Sequence, residues 1–166
     1  NQLSNEISAI SAQASSLASE ITAVKSELAI AKGQEASQYE AMKAVNQTLI
    51  SLYWGIGQEI YNQQNEKGWG KSIVEVLAKE IQKDFPGVKG FSSSNLWRMR
   101  NFYVTYSNAE NLAPLVREIS WSKNIAIMEK CKEQLEREFY IKMTKKYGWT
   151  KDVLINHIEN KSYEKY

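Results

Sequence analysis

The chain has 166 residues, 43% of them apolar and 24% charged, with a net charge of +2. That length suffices for one core, or for one domain with an appendage. A lone cysteine, Cys131, and a lone histidine, His157, exclude an internal disulfide and leave no cluster at zinc-ligand spacing.

No apolar run approaches the roughly 20 residues needed to span a bilayer, and no signal-peptide pattern occurs. A cytoplasmic protein without a membrane partner is therefore expected, and a first residue other than Met suggests a trimmed or excerpted chain. The charge is uneven. Residues 1–42 hold two lysines against five glutamates, which leaves 19 basic and 14 acidic residues, a net +5, over residues 43–166. That balance is compatible with nucleic acid but does not require it.

From the N-terminus, Leu3, Ile7, Ile10, Ala14, Leu17, Ile21, Val24, Leu28 and Ala31 alternate at spacings of four and three. Nine consecutive seam positions predict a coiled coil over 1–33 that joins copies of the chain. With Ile7 as an a position, a parallel pair sets Glu20 against Lys25 and Glu27 against Lys32, so a parallel arrangement is expected. Seam alanines and Ile10 at a d position leave the number of copies open.

After Gly33, Tyr39, Met42, Val45, Leu49, Leu52, Ile56 and Ile60 share a helical face. This predicts the first helix of a compact domain over 34–166. Gly55 and Gly57 within it predict close approach of another helix. Residues 65–70 form a polar loop. Ile73, Val74, Leu77, Ile81 and Phe85 then mark an amphipathic helix that stops before Pro86-Gly87.

The next helix opens in the serine run Ser92-Ser93-Ser94, where Ser92 or Ser93 is the expected N-cap. Leu96, Met99, Tyr103 and Tyr106 predict its buried face. Asn95, Arg98, Asn101, Phe102 and Thr105 fall on other faces, with Trp97 and Arg100 at the flanks. No acidic residue occurs between Asp84 and Glu110, while Lys89, Arg98 and Arg100 do. Helix, Gly-containing turn and helix with a basic outer face is the outline of a helix-turn-helix. An ordinary core helix with a solvated face would show the same pattern.

Further along, Pro114 suits a first helical turn, Ser120-Trp121-Ser122-Lys123 begins a short helix, and 132–147 reads as a charged helix. The inner face of that charged helix takes in Leu135, Phe139, Ile141 or the stem of Lys142, and Met143, and Gly148 closes it. Thr150 caps a last helix through Val153, Leu154, His157 and Ile158. No alternating strand pattern appears, so the fold class expected is all-α. It comprises an N-terminal parallel coiled-coil helix and a compact multi-helix domain with a helix-turn-helix-like element.

Nothing in the chain reads as a catalytic constellation, a metal site or a cofactor site, so no enzyme activity is expected. His157, beside apolar neighbours, reads as a packed or capping residue. Cys131, flanked by Lys130 and Lys132, has either a lowered pKa or an unremarkable place at a helix-end surface. The five tryptophans read mainly as core anchors. Trp97 has the alternative of contacting sugar, phosphate or a thymine methyl.

Five stretches together carry a resemblance: LISLYWGIGQEI (49–60), GWGKSIVEVLAKEI (68–81), GFSSSNLWRMRNFY (90–103), ISWSKN (119–124) and EREFYIKM through YGWTKDVLINHI (136–158). In order and spacing they resemble the N-terminal domain of the YhcG-like bacterial family, in which it precedes a PD-(D/E)XK nuclease domain. The resemblance spans residues 39–158 and leaves out the heptads. It implies a DNA-binding or targeting module for a nuclease of mobile elements or restriction-type defence, with the nuclease motif itself beyond this chain. The family pattern maps onto Gly90, Phe91, Ser92, Asn95, Leu96, Arg98, Met99, Arg100, Phe102 and Tyr103. Some relatives carry a basic residue where this chain has Ser93.

Two functional expectations follow. In the first, the domain, held as an oligomer by the coil, binds double-stranded DNA, and Lys71, Lys89, Ser92, Ser93, Asn95, Trp97, Arg98, Arg100 and Asn101 supply the contacts. In the second, the coil sets a homo-oligomer, and the aromatic domain docks a nuclease or other partner subunit without touching nucleic acid.

Overall fold

A computed structural model describes residues 3–14 and 35–166, and among them every regular element is helical. The helices are α1 over 3–14, α2 Glu35–Lys67, α3 Lys71–Asp84, α4 Ser93–Tyr106, α5 Trp121–Lys130, α6 Gln134–Tyr147 and α7 Lys151–Glu159. Short 3-10 turns occupy Leu115–Glu118 and Ser162–Lys165. The helices divide into two compact units, Asn1–Val104 and Thr105–Tyr166. Leu17, Ile21, Val24, Leu28 and Ala31 of the predicted seam, with the Tyr39 side chain, lie outside the described residues.

In the first unit the buried side of α2 comprises Ile50, Leu52, Tyr53, Ile56 and Ile60. Met42, expected on that face, is 63% exposed, so burial begins further along the helix than the pattern indicates. Gly57 is where α4 comes closest. A Cβ built there would lie 2.0 Å from the Met99 carbonyl oxygen, so only glycine admits this approach. The loop expected over 65–70 is shorter, because α2 continues to Lys67 and leaves only residues 68–70 outside a helix, with Trp69 among them buried.

α3 buries Val74, Leu77, Ala78 and Ile81 and ends at Asp84, ahead of Pro86 as its spacing predicts. α1 is folded back within the same unit. Ile7, Ile10 and Ala14, three of the seam positions, are buried there, while Leu3 is exposed. The Ser11 hydroxyl donates to Asp84 Oδ2 at 2.6 Å, and Glu6 faces Lys67 at 4.0 Å.

The second unit packs α5, α6 and α7 around Ile127, Tyr140, Ile141, Leu154 and Ile158. Ser120 caps α5, its Oγ accepting from the Lys123 N–H at 3.4 Å. Thr150 caps α7, its Oγ1 accepting from the Val153 N–H at 3.2 Å. The buried face of α6 is Tyr140, Ile141 and Thr144. Ile141 is inside as expected and Phe139 and Met143 are half-buried, whereas Leu135, also expected inside, is 68% exposed. Asn124 is fully buried and ties the 3-10 turn to α5, its Nδ2 donating to the Val116 carbonyl at 2.8 Å.

Candidate nucleic-acid interface

The α3–turn–α4 element is held by side chains at both ends of its loop. Gly90 has φ +101°, and a Cβ there would lie 2.7 Å from Tyr53 Oη, so both backbone sign and space demand glycine. Gln82 Nε2 donates to the Phe91 carbonyl at 2.9 Å, bridging from α3 to the far side of the loop. Phe91 is buried with its ring edge-on to Tyr53, centroids 6.4 Å apart. Burial raises the Tyr53 pKa above its ordinary value, so the phenol stays neutral. Ser92 is the N-cap: its Oγ accepts from the Asn95 N–H at 3.1 Å.

α4 is then seated on α2. Leu96, Met99 and Phe102 are completely buried there, and Tyr106, in the last turn that belongs to the second unit, is completely buried as well. The inward placement of Phe102 corrects the sequence-based expectation, which put it on an outer face and Tyr103 inside; Tyr103 is half-buried. Trp54 of α2 explains the rotation. Its ring meets Phe102 at 5.7 Å and Tyr103 at 5.4 Å, both edge-on, so the helix turns two aromatics toward it.

The predicted contact residues separate into groups. Arg98 and Asn101 are exposed, and with Ser94 and Val104 they form the outward stripe of α4 at spacings of four, three and three. Lys89 is exposed in the loop. Lys71 is exposed at the start of α3, about 20 Å along the helix axis from the loop that holds Lys89. Ser93 and Trp97 are half-buried.

Asn95, Arg100 and the otherwise outward Asn101 make hydrogen bonds within the unit. Asn95 Nδ2 donates to the Gly90 carbonyl at 2.6 Å and so closes the loop. Arg100 Nε donates to Gln64 Oε1 at 2.8 Å, its Nη1 to Asn101 Oδ1 at 3.0 Å, and its guanidinium lies 5.6 Å from the Tyr61 ring centroid. Ser94 is the outward residue that sequence reasoning passed over. Counting back four from Arg98 would have found it.

Elsewhere in the first unit, a pocket of about 320 Å³ lies between α1 and α3, lined by Ser8, Ser11, Glu80 and Asp84 among others. It shares no residue with the predicted DNA contacts.

In the second unit Cys131 is buried rather than at the surface. Burial, with the Glu136 carboxylate and a hydrogen bond to it, pushes the thiol up to about 12 against a smaller opposing effect of Arg137. The flanking lysines do not activate it. His157 is packed as expected: its ring stacks on Trp149 at 3.9 Å, and Nδ1 is 2.8 Å from Ser162 Oγ. Among the described residues, no group of three or more His, Cys, Asp or Glu side chains is placed to hold a metal ion, and no helix is long and apolar enough to cross a membrane.

Fold and site together define an all-helical domain with a helix-turn-helix-like element whose outward stripe carries a hydroxyl, a guanidinium, an amide and one exposed valine. A family model described as the DUF1016 N-terminal domain matches residues 29–165, and the chain belongs to that family. This is the N-terminal domain of the YhcG-like proteins whose motifs run through 49–158. No curated protein and no solved structure matches the chain significantly.

Proposed function

We propose that this domain binds double-stranded DNA through the α3–turn–α4 element, as the targeting and oligomerisation module of a bacterial nuclease of mobile elements or restriction-type defence, with no catalysis of its own. The observation that supports it most is the stripe Ser94–Arg98–Asn101 on a helix whose other faces are held by α2, with Lys89 at its entrance. A rigidly seated helix that presents hydroxyl, guanidinium and amide groups without an intervening carboxylate has the inventory needed to position on phosphates and read base edges. Asn95 and Arg100 serve the reading by fixing the loop and the helix.

The scaffold alternative draws on Val76, Val88 and Val104, large apolar side chains exposed on α3, the loop and α4. Titrating a duplex at several salt concentrations separates the two. Lys89→Ala with Arg98→Ala is expected to weaken duplex binding and to flatten the salt dependence by about 1.8, at roughly 0.9 per phosphate contact. Unchanged affinity and slope in that variant would reject the DNA reading and leave the scaffold.

A further inference from the structure

A second basic interval lies in the second unit, and the reading of α4 leaves it unused. Between Glu138 and Asp152 no acidic residue occurs, while Lys142, Lys145, Lys146 and Lys151 do. That is four cations in 13 positions, denser than the three in 25 around α4. Lys142 is engaged with Glu138 at 2.6 Å, whereas Lys145, Lys146 and Lys151 are exposed around the end of α6 and the start of α7.

The backbone at this junction builds a stack of rings. α6 stops at Gly148, which takes the left-handed conformation at φ 62°, and the N–H groups of Gly148 and Trp149 both return to the Thr144 carbonyl. This closure turns the chain back so that Trp149 lies along Tyr147, centroids 6.1 Å apart and planes within 20°. The Thr150 cap then starts α7, which brings the His157 ring parallel to Trp149 at 3.9 Å and 7°. The histidine end is anchored by Ser162. The tyrosine end is 58% exposed, with Lys146 Nζ 5.2 Å from its centroid.

A flat ring ending a fixed stack offers a π-face at little entropic cost. A base can use it only when its own face is uncovered, which in a duplex it is not. We propose that Tyr147, Trp149 and His157 with Lys145, Lys146 and Lys151 form a binding site for single-stranded DNA. One unpaired base extends the stack on Tyr147, and its neighbouring phosphates lie against the lysines. Lys146, whose stem is flexible, moves from the ring to a phosphate as the base arrives. The site is built within the second unit and does not rest on the duplex reading of α4.

Fluorescence anisotropy of the full chain with a labelled oligothymidylate of about 12 nucleotides tests it. Tyr147→Ala is expected to weaken binding by about 5- to 100-fold, while Tyr147→Phe retains it, which separates loss of the ring from loss of fold. An abasic strand of equal length should bind as weakly to the native chain as the oligothymidylate does to Tyr147→Ala. Lys145→Gln with Lys146→Gln should flatten the salt slope by about 1.4.

Equal affinity for the abasic and thymidine strands would overturn the proposal, as would an unchanged Tyr147→Ala. Competition by a polyglutamate peptide as strong as by the oligonucleotide would overturn it too, by reducing the patch to an unspecific cation cluster. Arg98→Ala should leave single-strand affinity intact, so failure of the duplex reading and failure of this one give different results.

Discussion

Arg98 and Arg100 are two positions apart on one helix, yet the fold gives them different work. Arg98 stands on the outward stripe, while Arg100 ties α4 to Gln64 of α2 and lies over Tyr61. Arg100→Lys should therefore destabilise the fold by about 1 kcal/mol, since lysine cannot supply the Nε donor and the flat contact together. Arg98→Lys keeps a cation on the outward stripe and should cost less unfolding free energy than Arg100→Lys when the two are compared by urea denaturation. Cys131 makes a second residue-level case. Its pKa is raised from about 9 to about 12 in the folded state, so the unfolded chain loses the proton first. Stability is fully present below pH 9 and declines as pH rises from there toward 12, by at most about 1.4 kcal/mol per pH unit. Tyr106, raised by burial, adds to the loss above pH 10. Unfolding across that range should show the decline, and Cys131→Ala should reduce its early part. The difference between the two arginines was not legible in the sequence, because Gln64 is 36 residues from Arg100 and no local spacing connects them. The lysines beside Cys131 pointed the wrong way, since neighbours in sequence at a helix end need not share an environment.

Helix starts and stops were the most legible elements, because each depends on a few adjacent residues. Ser92, Ser120 and Thr150 accept the N–H bonds that their positions suggest, and Gly148 takes the left-handed turn. Faces were read less well wherever a partner helix chose among several apolar residues, as Trp54 did in turning Phe102 inward. The glycine pair of α2 converts this into a prediction about helix packing. Gly57→Ala would drive a Cβ into the Met99 backbone, which cannot move aside as a side chain could. Loss of about 1–3 kcal/mol or more is expected. The Cβ of Gly55→Ala would meet only the end of the Gln13 side chain at 3.4 Å, so relief of glycine's helix penalty should dominate. That variant should be stabilised by about 0.5–1 kcal/mol, and thermal unfolding of the two side by side checks the contrast.

At the scale of the molecule, the heptads and the fold make competing demands on one set of residues. Ile7, Ile10 and Ala14 are seam positions by spacing, yet within this chain they are already buried, with Ser11 bonded to Asp84 at the end of α3. A side chain cannot fill the core of its own unit and the seam of an assembly at once. If copies associate through the proposed parallel coil, α1 must leave its place for the coil to use its first two heptads. Otherwise the coil is confined to positions after Ala14. Ser11→Asp sets a second carboxylate against Asp84 and should release α1 without altering any seam residue. Light scattering over a dilution series should then show tighter association than the native chain if docking competes with the seam. Unchanged association, with the expected loss of unfolding stability, would place the assembly interface outside residues 3–14. Deleting residues 1–32 should bring the protein toward monomer in either case, and an unchanged mass would remove the heptads as the basis of any oligomer.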